Sequence, residues 1–169
     1  MLASAANGTL FASLIFGYFF LWVVAPNWPP PGEYGAYLLE PVLISGGAIL
    51  ALLCARMGTR NFARARVGAM ATASCLALTA VVLLLSGLHH LPSPTEHAFA
   101  AVGWVLTSYA IFSAAVGLLI QCFVRRRIAS GHVSAARPHE LRIAAVWSDY
   151  GSGVTIVVPW LLALSGDVL

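Results

Sequence analysis

VGAMATASCLALTAVVLLLSGL, residues Val67 to Leu88, runs for 22 positions without a charge, a proline or an amide side chain. At 1.5 Å per residue a helix of that length spans about 33 Å, enough to cross a hydrocarbon core ~30 Å thick. An open strand in lipid would leave backbone groups unpaired, so the stretch reads as a spanning helix. Arg56, Arg60, Arg64 and Arg66 stand before it, and His89-His90 with Leu91-Pro92-Ser93-Pro94-Thr95-Glu96 after it. A charged edge and a proline-rich edge bound one apolar run.

Working outward, four further apolar segments occupy about Asn7–Ala25, Ala36–Ala55, His97–Val124 and Leu141–Leu164. Residues 1–169 therefore read as a single all-α domain of five transmembrane helices, without internal repeat. Composition agrees: 60% of the 169 residues are hydrophobic and only 9% charged, against roughly 25% charged in soluble domains. Disorder needs low hydrophobicity and is excluded. Three cysteines in no paired spacing exclude a disulfide scaffold. No basic residue precedes the first segment and its apolar run is long, so a cleaved signal peptide is not expected.

The segments are sharply punctuated. Trp28-Pro29-Pro30-Pro31-Gly32 cannot continue a helix. The Leu91–Glu96 stretch closes the third segment and offers a cap for the fourth, which Arg125-Arg126-Arg127 then ends. Pro41 falls in the tolerated first turns of the second segment, and Pro159 is expected to kink the fifth.

All nine basic residues are arginine. They flank two loops, the one between segments two and three and, with Arg125–Arg127, Arg137 and Arg142, the one between four and five. Five helices put both loops on one side, so the positive-inside rule predicts an inside N-terminus and an outside C-terminus. Glu33, Glu40, Glu96 and Asp167 lean to the other side. Arginines beside apolar runs carry topology, and no nucleic-acid partner is expected despite the net charge of +3.

Candidate chemistry is sparse. His89, His90, His97, His132 and His139 all lie in loops or at segment ends, so none is placed to ligate a mid-membrane haem. His89-His90 with Glu96 and His97 read either as an outer-face metal site or as solvated imidazoles. Cys54, Cys75 and Cys122 read as small packing groups. No phosphate loop, nucleophile elbow or paired catalytic carboxylates appear, so no catalytic, metal or cofactor residue is expected in this chain.

Asp149 stands out. It follows Arg142 by seven residues, about 10 Å along a helix, which places a carboxylate in the hydrocarbon zone. It reads either as a proton-linked or partner-binding acid, or as a structural one bonded by Ser148, Ser152 or a neighbouring helix. Glu40 lies nearer the outer interface, where water can reach it. Ser45-Gly46-Gly47-Ala48, Gly68-Ala69, Ser113-Ala114-Ala115 and Gly151-Ser152-Gly153 allow close helix approach. Phe11, Phe16, Tyr18, Phe19, Phe20 and Trp22 give the first helix an aromatic surface for lipid or another subunit, and Trp28, Tyr34 and Tyr37 fit an interfacial belt.

Phe16-Gly17-Tyr18-Phe19, Ala25-Pro26 and Trp28-Pro29-Pro30-Pro31-Gly32 together resemble the aromatic "FxxYF" helix and "WPPxG" loop of subunit III of haem–copper cytochrome c oxidases. Tyr109–Gly117, Arg125-Arg126-Arg127, Gly131 and Ala144-Ala145-Val146-Trp147-Ser148-Asp149-Tyr150 resemble that family's closing two helices. The likeness covers almost the whole chain and is to the short, five-helix bacterial form. It departs where the family has a membrane glutamate (Asn7 here), a histidine pair (Ala110 and Ser113) and a "WHFVD" run (Ser148-Asp149-Tyr150-Gly151-Ser152), so Asp149 stands in place of a histidine.

The resemblance implies a multi-pass subunit of the bacterial cytoplasmic membrane without a redox centre. It would pack on a catalytic subunit I that holds haem and copper, beside other respiratory-complex subunits. Phospholipid would lie in a groove, and the subunit would support assembly and proton uptake. Asn7, Tyr18, Trp22 and Trp104 are candidates for groove lining, and Arg56 and Arg142 for lipid phosphates. A subunit-III-like accessory protein of a nitric oxide reductase, whose partner carries non-haem iron, is an alternative. A small proton-linked transporter using Asp149 and Glu40 is another, against which the lack of an inverted repeat or a broken-helix pair argues.

Overall fold

The structure, a computed structural model, describes residues 2–25, 28, 38–135 and 138–165. Within them lie five helices and one short 3₁₀ turn, and no strand: α1 Leu2–Val24, α2 Leu39–Arg60, the turn Phe62–Arg64, α3 Ala65–His90, α4 Ala98–Ala129 and α5 His139–Ser165. Pro26, Pro29–Pro31, Gly32, Glu33, Tyr34, Ala36, Tyr37, Arg137 and Asp167, all used in the sequence reading, lie outside the described residues.

The helices exceed the apolar runs at nearly every described end. The largest correction is α4. The triple arginine was expected to end it, yet the helix continues to Ala129. Arginine is a good helix former, and loss of hydropathy is not loss of helicity. The true stop is Gly131, at φ 75°. There the His132 N–H bonds the Arg127 carbonyl and the Gly131 N–H bonds that of Ile128, a Schellman motif. The start of α4 also differs. The cap is His97 itself, whose Nδ1 accepts from the Phe99 N–H at 3.1 Å. The Ser93 and Thr95 hydroxyls are spent on each other. α5 runs through Pro159 to Ser165.

α2, α3, α4 and α5 form a ring, each antiparallel to its neighbours, and α5 returns to pack on α2. Buried positions recur every three or four residues on each inward face. On α2 they are Pro41, Ile44, Ala48, Ala51, Ala55 and Gly58. Small residues on these faces let the backbones approach. A Cβ on Gly68 would stand 2.8 Å from the Cys54 carbonyl oxygen, so α2 and α3 can cross there only over a glycine.

α1 lies outside the ring, against α4 and α5. Its inward stripe holds Asn7, Phe11, Leu14, Tyr18, Leu21 and Ala25, but only Tyr18 is fully buried. The Tyr18 ring meets Trp28 edge-on at 5.4 Å, and Trp28 meets Phe99 at 5.2 Å. Phe16, Phe19, Phe20, Val23 and Val24 face outward and are exposed.

Four helical stretches are long and apolar enough to cross a membrane: Ser4–Val24, Leu39–Arg60, Phe62–His90 and Ala98–Ala129. α5 is as long, but the stretch from Ser148 to Gly153 lowers its hydropathy and it is not among them. The topology brings all eight described arginines to one end of the bundle, the C-termini of α2 and α4 and the N-termini of α3 and α5. Glu40, His89, His90, Glu96 and His97 share the other end.

Candidate functional site

Polar side chains inside an apolar bundle need partners, since an unmet donor or acceptor there costs about 1–3 kcal/mol. Three such clusters stand out, two of them on different sides of α5 at neighbouring residues and one at the opposite end of the bundle.

At the arginine end, Asp149 sits ten residues into α5 and faces the last turns of α2. Its Oδ2 accepts from Arg56 Nη2 at 3.0 Å. The partner is thus a neighbouring helix, not Ser148, whose hydroxyl bonds Gln121 Nε2 and the Ala144 carbonyl. Arg56 is 54% exposed and Asp149 37%, so water screens the pair. Arg60, Arg142 and Thr59 complete a shallow open recess around it. No carboxylate among the described residues is within ion-pair distance of Arg60 or Arg142, so the recess keeps a positive excess. Nearby, Arg127 pairs with Glu140 at 2.7 Å and ties α4 to α5.

On the side of α5 toward α4 and α1, the Tyr109 and Tyr150 hydroxyls lie 2.6 Å apart, and both reach the Asn7 carbonyl, at 2.9 and 2.8 Å. Two protons serve three contacts, so the triangle always holds at least one bond from the bundle to α1. Phe11 stacks on Tyr109 with ring centres 5.6 Å apart.

At the opposite end, Glu40 of α2 accepts from the Ser86 hydroxyl, and its other oxygen bonds His90 Nε2 at 2.9 Å. Both partners belong to α3. Behind them a cavity of about 80 Å³ reaches between α2, α3, α4 and α5.

The sequence candidates are therefore dispersed. Arg56, Arg142 and Asp149 come together in one recess. Asn7 acts through its backbone carbonyl. Tyr18 is buried at the α1 contact, with Trp22 edge-on to it at 6.2 Å. Trp104, on α4, donates to the Pro92 carbonyl at 2.9 Å and lies apart from α1's aromatics. His89-His90, Glu96 and His97 do not converge: His90 pairs with Glu40 and His97 caps α4. Among the described residues no three of histidine, cysteine, aspartate and glutamate gather as a metal-binding group.

Sequence reading missed the Glu40–Ser86–His90 and Tyr109–Tyr150–Asn7 clusters and the Gln121–Ser148 bond. The available signal was register. Residues equidistant from Ala63 meet in a tight hairpin, which pairs Glu40 with Ser86 and Gly47 with Thr79. Comparison of the chain with models of protein families and with characterised proteins returns no match.

Proposed function

We propose that this chain is a non-redox accessory subunit, similar to subunit III, of a haem–copper terminal oxidase in a bacterial cytoplasmic membrane. One observation carries the reading: the interior polar clusters join helix to helix, and the exposed surface carries large apolar side chains on every helix. Arg56–Asp149 joins α2 to α5, Glu40–Ser86–His90 joins α2 to α3, and Gln121–Ser148 joins α4 to α5. Such a body suits a partner's flank. The aromatic motifs of α1 and the Trp147–Tyr150 stretch of α5 add the family resemblance.

In this reading all five helices span the membrane. α5 can do so because Ser148, Ser152 and Thr155, which lower its hydropathy, are fully buried against the bundle. The arginine end faces the cytoplasm, and the Arg60–Arg142 recess accepts a phospholipid phosphate there. The outward aromatic face of α1 (Phe16, Phe19 and Phe20) meets the catalytic subunit.

Purification of the chain in mild detergent with its companions tests this. The expected result is a stoichiometric complex whose visible spectrum shows haem carried by another chain, with copper in the metal analysis. Non-haem iron in place of copper would move the assignment to a nitric oxide reductase. Proton flux by the isolated chain in liposomes, abolished by Asp149→Asn, would replace it with a transporter.

A further inference from the structure

The cavity at the glutamate end is independent of that reading. Its walls are apolar: Leu83 of α3, Phe99 of α4, and Val158 and Leu162 of α5. Its polar side chains are Glu40, Ser86, His90 and Thr107; Ser86 and His90 are engaged with Glu40, and two of the four, Glu40 and Thr107, have bonding capacity left over. Each oxygen of the Glu40 carboxylate takes one bond, from Ser86 or His90. A carboxylate offers about two acceptor positions per oxygen, so each oxygen keeps one.

Thr107 is the second. Its side chain is buried, and its hydroxyl bonds no described residue. Threonine and serine within a helix usually bond the carbonyl four residues back. Thr72, Thr79, Thr155 and Ser113 all do so here. Thr107 does not, and its methyl group is turned toward Gly87.

About 80 Å³ is several times the ~10–15 Å³ one water needs. A purely aqueous filling would set most of those waters against hydrocarbon. An anion would meet the carboxylate, and a divalent metal would find one carboxylate and one imidazole. A cationic N–H donor with a short apolar body meets every wall.

We propose that this cavity binds a small organic cation of the primary alkylammonium class. The ammonium group bonds Glu40 at the mouth, and the tail lies against Leu83, Phe99, Val158 and Leu162. Ala163, near the C-terminal end of α5, is also on the wall.

The test is titration of the full chain in lipid nanodiscs with n-butylammonium and with 1-butanol, read by saturation-transfer NMR against empty nanodiscs. The expected result is saturable butylammonium binding about tenfold tighter than that of butanol. Glu40→Gln should weaken it by about tenfold. Ala163→Leu, which fills the cavity, should abolish it. Equal affinity for the two probes would overturn the proposal. So would butylammonium binding unchanged in Ala163→Leu, or no saturable binding by a chain with its helical spectrum intact.

Discussion

α1 and the four-helix ring are both apolar helix packings, yet they are built on opposite principles. The ring is held by backbone approach: glycine, alanine and serine face one another, and removing space rather than removing atoms is what would break it. α1 is held by a few large side chains and one hydrogen-bonded triangle, with most of its surface turned outward. In lipid, burying an apolar side chain gains little over leaving it among acyl chains, so packing density and hydrogen bonds decide association. The ring has both along its length. α1 has them at Tyr18 and at the Asn7 carbonyl.

The largest effect should come from violating the ring's rule. Gly68→Leu forces a side chain onto the Cys54 carbonyl, where a Cβ alone would stand 2.8 Å away. Overpacking of this kind costs about 1–3 kcal/mol, and more where the obstacle is backbone. Denaturant unfolding in detergent should show that loss. Gly8→Leu on α1, whose Cβ would meet nothing within 4 Å, should leave the transition unmoved. Equal losses would erase the distinction between the two regions.

Next come the tyrosines. Tyr109→Phe and Tyr150→Phe each remove one hydroxyl from the triangle, and the survivor can still bond Asn7. Each single change should cost ~0.5 kcal/mol, and the double change about 2 kcal/mol, because only then is α1 unbonded at that level. Hydrogen exchange at α1 amides should rise in the double variant while α2–α5 stay protected. Strictly additive effects would mean the hydroxyls act separately.

Smaller again is the ion pair. Arg56 and Asp149 are each more than a third exposed, so Asp149→Asn should cost less than ~1 kcal/mol, and salt should weaken the wild-type pair. The half-exposed Asp149 is thus expected to contribute less than the tyrosine next to it in α5.

These contrasts also mark how far the residues could be read without coordinates. Apolar length and arginine placement gave five helices and one basic end, because spanning length and desolvation are properties of single segments. Helix ends were harder: α4 stops at a Schellman glycine, a backbone event, and not where its hydropathy falls. Of the contacts, those inside one hairpin follow from its turn, as Glu40 with Ser86 does. Arg56 with Asp149 does not. Those residues lie 93 positions apart, on helices that meet only because the ring closes, and no local rule orders them.

The smallest expected change in the chain's own stability bears most on its role. Phe16 is 72% exposed on the outer face of α1 and, among the described residues, stacks only on Phe20, its neighbour one turn along. Phe16→Ala removes no contact with the ring, so the unfolding transition should move by less than ~0.5 kcal/mol. If α1 presents this face to a catalytic partner, the same change opens a gap where an aromatic anchor sat, and such anchors dominate interface energies. Co-purification yield from mild detergent should then fall several-fold, while a lipid-facing control, Leu119→Ala on α4, leaves it unchanged. A helix that were merely a fifth wall of the bundle would give the reverse, a loss of stability with the partner retained. α1's sparse packing against the ring is what makes the two outcomes separable.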